Sequence, residues 1–190
     1  LTIDVLNAAI RACKKCRLFE SRTNALCGEG NPRARLMLIA LSPGVNEDRE
    51  GRMFIGPSGK VLDELLVEAG IDRKELYMTN LLKCMLPGCR KPKQDEIEAC
   101  SSFLDREIEL IDPKVIAPLG YYAIRYVFGK YAIPLPPKPE FHKIFGKTFI
   151  AQNKVIIPLR HPAAVLYNHS LKQELTRHFR QLKTVIAECE

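Results

Sequence analysis

The richest chemistry in this 190-residue chain lies in its cysteines and in a few polar side chains that follow apolar runs. Cys13 and Cys16 form a C-x2-C pair, and Cys84 and Cys100 stand alone further along. Four thiolates brought together hold zinc or an iron–sulfur cluster, and spacing by itself does not choose between them. The plainer alternative is a lone pair plus buried thiols, because free cysteine often behaves as a small core residue. Cys27, Cys89 and Cys189 fall outside the four, although Cys89 is close enough in sequence to compete with Cys84. A second group comprises Glu47, Asp48, Phe54, Asn80 and His161. Asparagine offers a donor and an acceptor, which suits the edge of a nucleobase. A phenylalanine face stacks on a ring, and a histidine N–H stabilises an oxygen that gains negative charge. Each has an ordinary alternative: Asn80 as a turn cap, Phe54 as core, His161 as a loop residue held by Pro162.

The elements that must position these groups are strands alternating with helices. Residues 36–41 (LMLIAL) are a continuous apolar run, the pattern of a strand covered on both faces. Ser42, Pro43 and Gly44 break it, and a polar loop with Glu47, Asp48, Glu50, Arg52 and Phe54 follows. From Gly59 the residues Val61, Leu62, Leu65, Leu66 and Ala69 recur at helical spacing. Further strands are expected at 76–82, 115–119 and 154–159, and helices at 2–12, 95–111, 121–128 and 171–187. Residues 131–149 read as an irregular excursion with one hairpin, and 17–35 as a basic loop. This alternation implies one α/β/α domain over 1–190, a three-layer sandwich around a four-stranded parallel sheet. In such sheets ligands bind at the carboxyl ends of the strands, where the loop after Leu41, Asn80 and His161 converge. Lys83, Arg90, Lys91 and Lys93, with Lys138, Lys143 and Lys147, flank that edge and suit a phosphate-contacting rim.

The composition narrows the field. A hydrophobic fraction of 46% and a charged fraction of 27% are those of a soluble globular protein. No apolar run is long enough to span a bilayer, and residues 1–11 lack the pattern of a signal peptide. The net charge of +7 favours an anionic partner such as nucleic acid. Seven cysteines, an odd number without a secretion signal, favour metal or cluster ligation over disulfides.

The residues also resemble the family four uracil-DNA glycosylases, iron–sulfur enzymes of bacteria and archaea, along nearly the whole chain. CKKCRLFESRTNALCGEGNPRARLMLI is similar to that family's start. PGVNEDREGRMFIGPSGKVLDELL resembles its P-G-x-x-E-D-x-x-G-x-P-F-V-G-x-A-G-x-L-L region. TNLLKCMLPGCRKP resembles T-N-x-x-K-C-x-P-P-x-N-R-x-P, and RHPAAVL resembles H-P-[SA]-x-x-L. The resemblance implies the uracil-DNA glycosylase fold and a structural 4Fe–4S cluster on Cys13, Cys16, Cys84 and Cys100. It implies that Phe54 stacks on uracil, Asn80 bonds its edge and His161 stabilises the departing anion. It places the Ser42-Pro43-Gly44 backbone in the pocket and the loop bearing Leu166 against DNA, single- or double-stranded. A monomer in the cytoplasm, associated with the nucleoid, goes with that picture.

One departure stands out. The family reads G-E-x-P-G where this chain has Ala40-Leu41-Ser42-Pro43-Gly44. Leucine neither accepts a proton nor orients water, so Leu41 at that substrate-facing position removes the usual carboxylate. Glu47 and Asp48 then become the candidates for activating water. Met53 stands for the usual Pro, Ser58 for Ala and Cys89 for Asn. Three readings follow: a uracil-DNA glycosylase, an iron–sulfur DNA-binding homologue without the chemistry, and a zinc-stabilised protein unrelated to DNA.

Overall fold

The computed structural model describes residues 2–189. The described strands are β1 (Glu29–Gly30), β2 (Leu36–Ala40), β3 (Leu76–Asn80), β4 (Val115–Pro118), β5 (Phe149–Ala151) and β6 (Lys154–Ile156). They form one sheet in the order β1-β3-β2-β4-β6-β5. The four central strands run parallel, and β1 and β5 pair antiparallel at the two edges. The expected parallel sheet is thus present with one extra strand on each side. These edge strands are two and three residues long, too short to leave a period in the sequence. Residues 131–149 hold a 3-10 turn at Lys138–Ile144, and the hairpin expected within them instead follows that segment, joining β5 to β6. Gln152 and Asn153 turn it with φ of 49° and 62°, the left-handed pair a tight hairpin needs.

The strands alternate their faces. Leu36, Leu38 and Ala40 of β2 pack with Leu62 and Leu65 of one helix and Leu175 and Phe179 of another. Those helices are α3 (Pro57–Ala69) and α7 (Lys172–Glu188), the latter beginning and ending one residue beyond the expected bounds. Met37 and Ile39 point the other way, to Leu104 and Ile108 of α4 (Gln94–Ile111) and to Ile124 and Val127 of α5 (Tyr121–Lys130). Each fully buried Leu or Ile contributes roughly 1.5–3 kcal/mol, so the sandwich is held by its two apolar faces. A third cluster joins Leu6 and Ile10 of α1 (Ile3–Arg11) to Leu82, Cys84, Cys100 and Phe103.

Local chemistry sets the helix ends that matter for the site. Gly56 and Pro57 open α3, since Pro at the first helical position gives up no hydrogen bond. On α4, the Glu96 carboxylate accepts from the Lys93 backbone N–H at 2.8 Å. Cys100, Phe103 and Glu107 then share its buried face at helical spacing. The polar loop after β2 holds a short helix, α2 (Val45–Glu50), that the sequence reading misses. Its only apolar residue, Val45, is exposed, so no periodicity marks it.

Register brings the functional strand ends level. Ala40 pairs with Asn80 across β2 and β3, and Leu119 bridges Leu159 two residues before His161.

Candidate active site

At that edge Ala40, Ser42, Pro43, Gly44, Glu47, Met53, Phe54, Ser58, Asn80 and His161 line one cavity of about 130 Å3. This is well below the roughly 300–1,000 Å3 of ordinary small-molecule pockets and suits a single flat ring. Most of the sequence-predicted pocket residues therefore do meet.

Phe54 is held in a strained conformation. Its φ is 49°, a left-handed value that a bulky residue adopts only under constraint, and its side chain is buried. Three groups impose it. Arg73 donates to the Met53 carbonyl at 2.6 Å and to the Phe54 carbonyl at 3.2 Å. Glu47 Oε1 accepts from the next two backbone N–H groups, Ile55 at 3.0 Å and Gly56 at 2.8 Å. Gly59 lets the helix approach, for a Cβ there would lie 1.9 Å from the Phe54 oxygen. The Phe54 ring ends 6.0 Å from the His161 ring at an interplanar angle of 28°.

His161 lines the cavity opposite Phe54. Its Nδ1 accepts from the Ala163 backbone N–H at 3.1 Å, so the neutral ring carries its proton on Nε2. Burial pushes its pKa down from 6.5 to about 4, and Glu47 opposes that only in part. The imidazole is therefore a neutral donor at physiological pH. Asn80, at the end of β3, is buried, and its Nδ2 donates to Met53 Sδ at 3.4 Å. That contact fixes the amide orientation and leaves the second Nδ2 hydrogen and Oδ1 for a ligand.

Three sequence expectations are corrected here. Leu41 does not line the cavity; by strand alternation it follows Met37 and Ile39, packing on the α4 side among Ile3 and Ile97. Asp48 does not line it either. Its Oδ1 accepts from the Thr23 and Asn24 backbone at 3.0 and 3.2 Å, and Asn24 Nδ2 donates to its carbonyl at 2.7 Å. That carboxylate stitches α2 to the preceding loop. Lys83 does not belong to a basic rim, being 1% exposed. Arg90 is tied to Glu96 through two bonds of 2.9 and 2.5 Å. Lys91, Lys93, Lys138, Lys143 and Lys147 are exposed as expected. Arg73 and Glu107 escaped the sequence reading; Glu107 had a signal, an acid on the apolar face of α4, and Arg73 had none.

The cysteines separate as the sequence grouped them. Cys13, Cys16, Cys84 and Cys100 line one recess with Arg22, Lys83 and Phe103. Cys89 is exposed and outside it. N–H donors point at the sulfurs: Arg22 Nη1 to Cys84 at 3.2 Å, the Lys83 backbone to Cys100 at 3.3 Å, and the Lys15 backbone to Cys13 at 3.5 Å. Burial raises the thiol pKa of Cys84, and that of Cys100 to about 11. Among the described residues no three His, Cys, Asp or Glu side chains are gathered tightly enough for a single metal ion. Beyond His161, Leu166 and Tyr167 of α6 (Ala164–Tyr167) are 50% and 91% exposed. No helix among the described residues is long and apolar enough to cross a membrane.

Comparison with known proteins agrees with this geometry. Residues 27–183 match the family model of the uracil DNA glycosylase superfamily. The chain is 38% identical over 187 residues to a type-4 uracil-DNA glycosylase of Sulfurisphaera tokodaii, covering 96% of this chain and 84% of that protein. It is 40% identical over 190 residues to a type-4 uracil-DNA glycosylase of Saccharolobus solfataricus, covering 97% and 87%. A type-5 uracil-DNA glycosylase of Thermus thermophilus is 31% identical over 130 residues, covering 60% and 59%.

Proposed function

The chain belongs to the uracil DNA glycosylase superfamily, and on that premise we propose how its own residues carry out the reaction. It is a uracil-DNA glycosylase, a DNA-repair hydrolase acting on N-glycosyl bonds. A duplex hides the base, so the uracil nucleotide leaves the stack and its base enters the 130 Å3 cavity. Phe54 stacks on the ring. Asn80 reads the edge, its Oδ1 accepting from the N3–H and its free Nδ2 hydrogen donating to O4. Cytosine presents an amino donor there, so a donor faces a donor and binding is lost.

As the C1′–N1 bond breaks, its electron pair stays with the base, and His161 Nε2–H donates to the carbonyl oxygen that gains charge. A neutral imidazole gives up no proton in doing so. Water adds to C1′ and passes one proton through Glu47 to solvent, and the uracil anion takes one proton from solvent. Glu47 is the carboxylate in reach of that water. Its Oε1 is spent on Ile55 and Gly56, while Oε2 points at Gly44, 2.6 Å from where a Cβ there would sit. The observation that carries the reading is the neutral His161, its Nδ1 fixed by Ala163, beside Asn80 and Phe54 in one base-sized cavity.

Cys13, Cys16, Cys84 and Cys100 would hold a 4Fe–4S cluster. A cluster gives each cysteine its own iron, whereas zinc gathers its thiolates around one ion at about 2.3 Å. The N–H donors aimed at the sulfurs support the cluster. It would supply order, tying the segment after α1, the loop after β3 and α4 together. Leu166 and Tyr167 would press on the strand beside the extruded nucleotide, with the exposed lysines on phosphates. The protein would act as a cytoplasmic monomer. A non-catalytic reading drew on Leu41, and it weakens because that side chain lies outside the cavity.

The test is uracil release from single- and double-stranded oligonucleotides at low salt, with alkali revealing abasic sites. Release accompanied by stoichiometric iron and broad visible absorbance is expected; a wild type inert on both substrates would overturn the assignment. Glu47→Gln separates the two carboxylate roles, keeping an oxygen for the two amides without the charge. About a 10- to 100-fold slower single-turnover rate is expected, within the range of one acid–base group. Leu41→Glu is expected to leave the rate no higher than wild type.

A further inference from the structure

We propose that Lys83 is a positioning residue for Asn80, tying the end of β3 to the cysteine-bearing helix. What Asn80 does rests on the function proposed above; how it is held does not. Lys83 is among the largest fully buried side chains of the protein. Its ammonium reaches back three residues to the Asn80 carbonyl at 2.8 Å, and it also donates to Thr79 Oγ1 at 2.7 Å and Glu107 Oε2 at 2.5 Å. Glu107, fully buried on α4, is itself fixed. It accepts from Thr79 Oγ1 at 2.7 Å and from the Gly28 backbone at 3.1 Å. The backbone of Lys83 is equally occupied, its N–H on Cys100 Sγ at 3.3 Å and its carbonyl accepting from Leu26 at 2.7 Å.

This arrangement has a directional consequence. β3 ends at Asn80, the Leu81 and Leu82 N–H groups still bond the Ala40 and Leu41 carbonyls at 2.9 and 2.8 Å, and the Asn80 carbonyl receives the Lys83 ammonium. The peptide that orients the Asn80 side chain is therefore anchored to a side chain whose own backbone bonds a cysteine sulfur. A buried ion pair is a poor stabiliser, since an apolar pair of the same size is often as stable or more so. What it supplies here is position: of the three donors on one nitrogen, two are aimed at the dipeptide Thr79-Asn80 and the third at the Glu107 carboxylate on α4. Loosening them shifts the amide relative to the base, and displacements of about 1 Å at a reacting site cost up to ~10²-fold in rate.

Lys83→Met alone strands the Glu107 carboxylate, so the informative variant is the double replacement Lys83→Met with Glu107→Gln, which removes both charges. Made in the intact iron-containing protein, it is expected to keep the wild-type melting temperature and visible absorption. Single-turnover uracil excision and the inhibition constant for free uracil should each worsen about 10-fold. In an Asn80→Ala background the same replacement should add nothing, because the residue it positions is gone. A full additional loss in that background, or wild-type rates in the double variant, overturns the proposal. The crystal structure of the double variant reads the point without turnover: a displaced Asn80 supports it and an unmoved Asn80 sinks it. An inert wild type would overturn the assigned reaction instead, and that structure would still decide this proposal.

Discussion

A His161→Ala variant is expected to release uracil about 10²- to 10³-fold more slowly than wild type, the usual loss when one donor to a developing oxyanion is removed. KM for uracil-containing DNA should hardly move, because Phe54 and Asn80 still receive the base. The pH profile gives a second signature. With its pKa near 4, the imidazole is neutral throughout the physiological range, so no activity change should be seen near 6.5, where an ordinary histidine titrates. Below about 4 a second proton must go to Nδ1, which displaces the Ala163 N–H and turns the ring. A wild-type rate that breaks at 6.5 and is flat in the alanine variant would sink the neutral-donor reading. The linked stability has a defined sign. Between about 6.5 and 4 the unfolded chain binds the proton and the folded one does not, so stability is lost as pH falls through that window. The alanine variant should lose less stability there, which acid-titrated melting curves can measure.

How much of this was legible in the sequence depends on whether a feature was local. The four parallel strands were readable because each is a short run of apolar residues bounded by breakers, and the convergence of Asn80 and His161 follows from strand ends alone. Leu41 was legible too, by alternation from Met37 and Ile39, although a motif alignment placed it in the pocket. α2 was not, since residues 45–50 bury charged groups instead of an apolar stripe: Asp48 is 4% and Glu47 8% exposed. Their partners are backbone N–H groups, which no composition reveals. Lys83 looked like one of several surface cations because its neighbours are; its partner Glu107 lies 24 residues away on another element. Residues bound to backbone or to distant charges are where sequence reading stopped, and in this site they hold the residues that line the cavity.

Gly59 puts that conclusion to the test, for it touches no ligand and yet is expected to be nearly as sensitive as His161. It lies in the first turn of α3, where its helical backbone suits any residue, so alanine carries no conformational penalty. On propensity alone Gly59→Ala should stabilise the helix by up to about 1 kcal/mol. The contact decides otherwise. The new Cβ would sit 1.9 Å from the Phe54 oxygen and 2.2 Å from its carbonyl carbon, both backbone atoms with no rotamer to escape into. Overpacking of this kind costs about 1–3 kcal/mol, so the sign of the stability change reverses. The Phe54 peptide is also where Arg73 and Glu47 converge, so it cannot retreat without breaking bonds to one of them. Relief comes by moving the Phe54 ring, and with it the stacking face for the base. The expected result is a lower melting temperature with excision about 10²-fold slower, comparable to a 1 Å misplacement at the reacting centre. Phe54→Ala should then be nearly silent when added to Gly59→Ala, since both remove the same stacked contact. A Gly59→Ala protein that melts higher than wild type and cuts at the same rate would show that α3 and the Phe54 turn are not braced against each other.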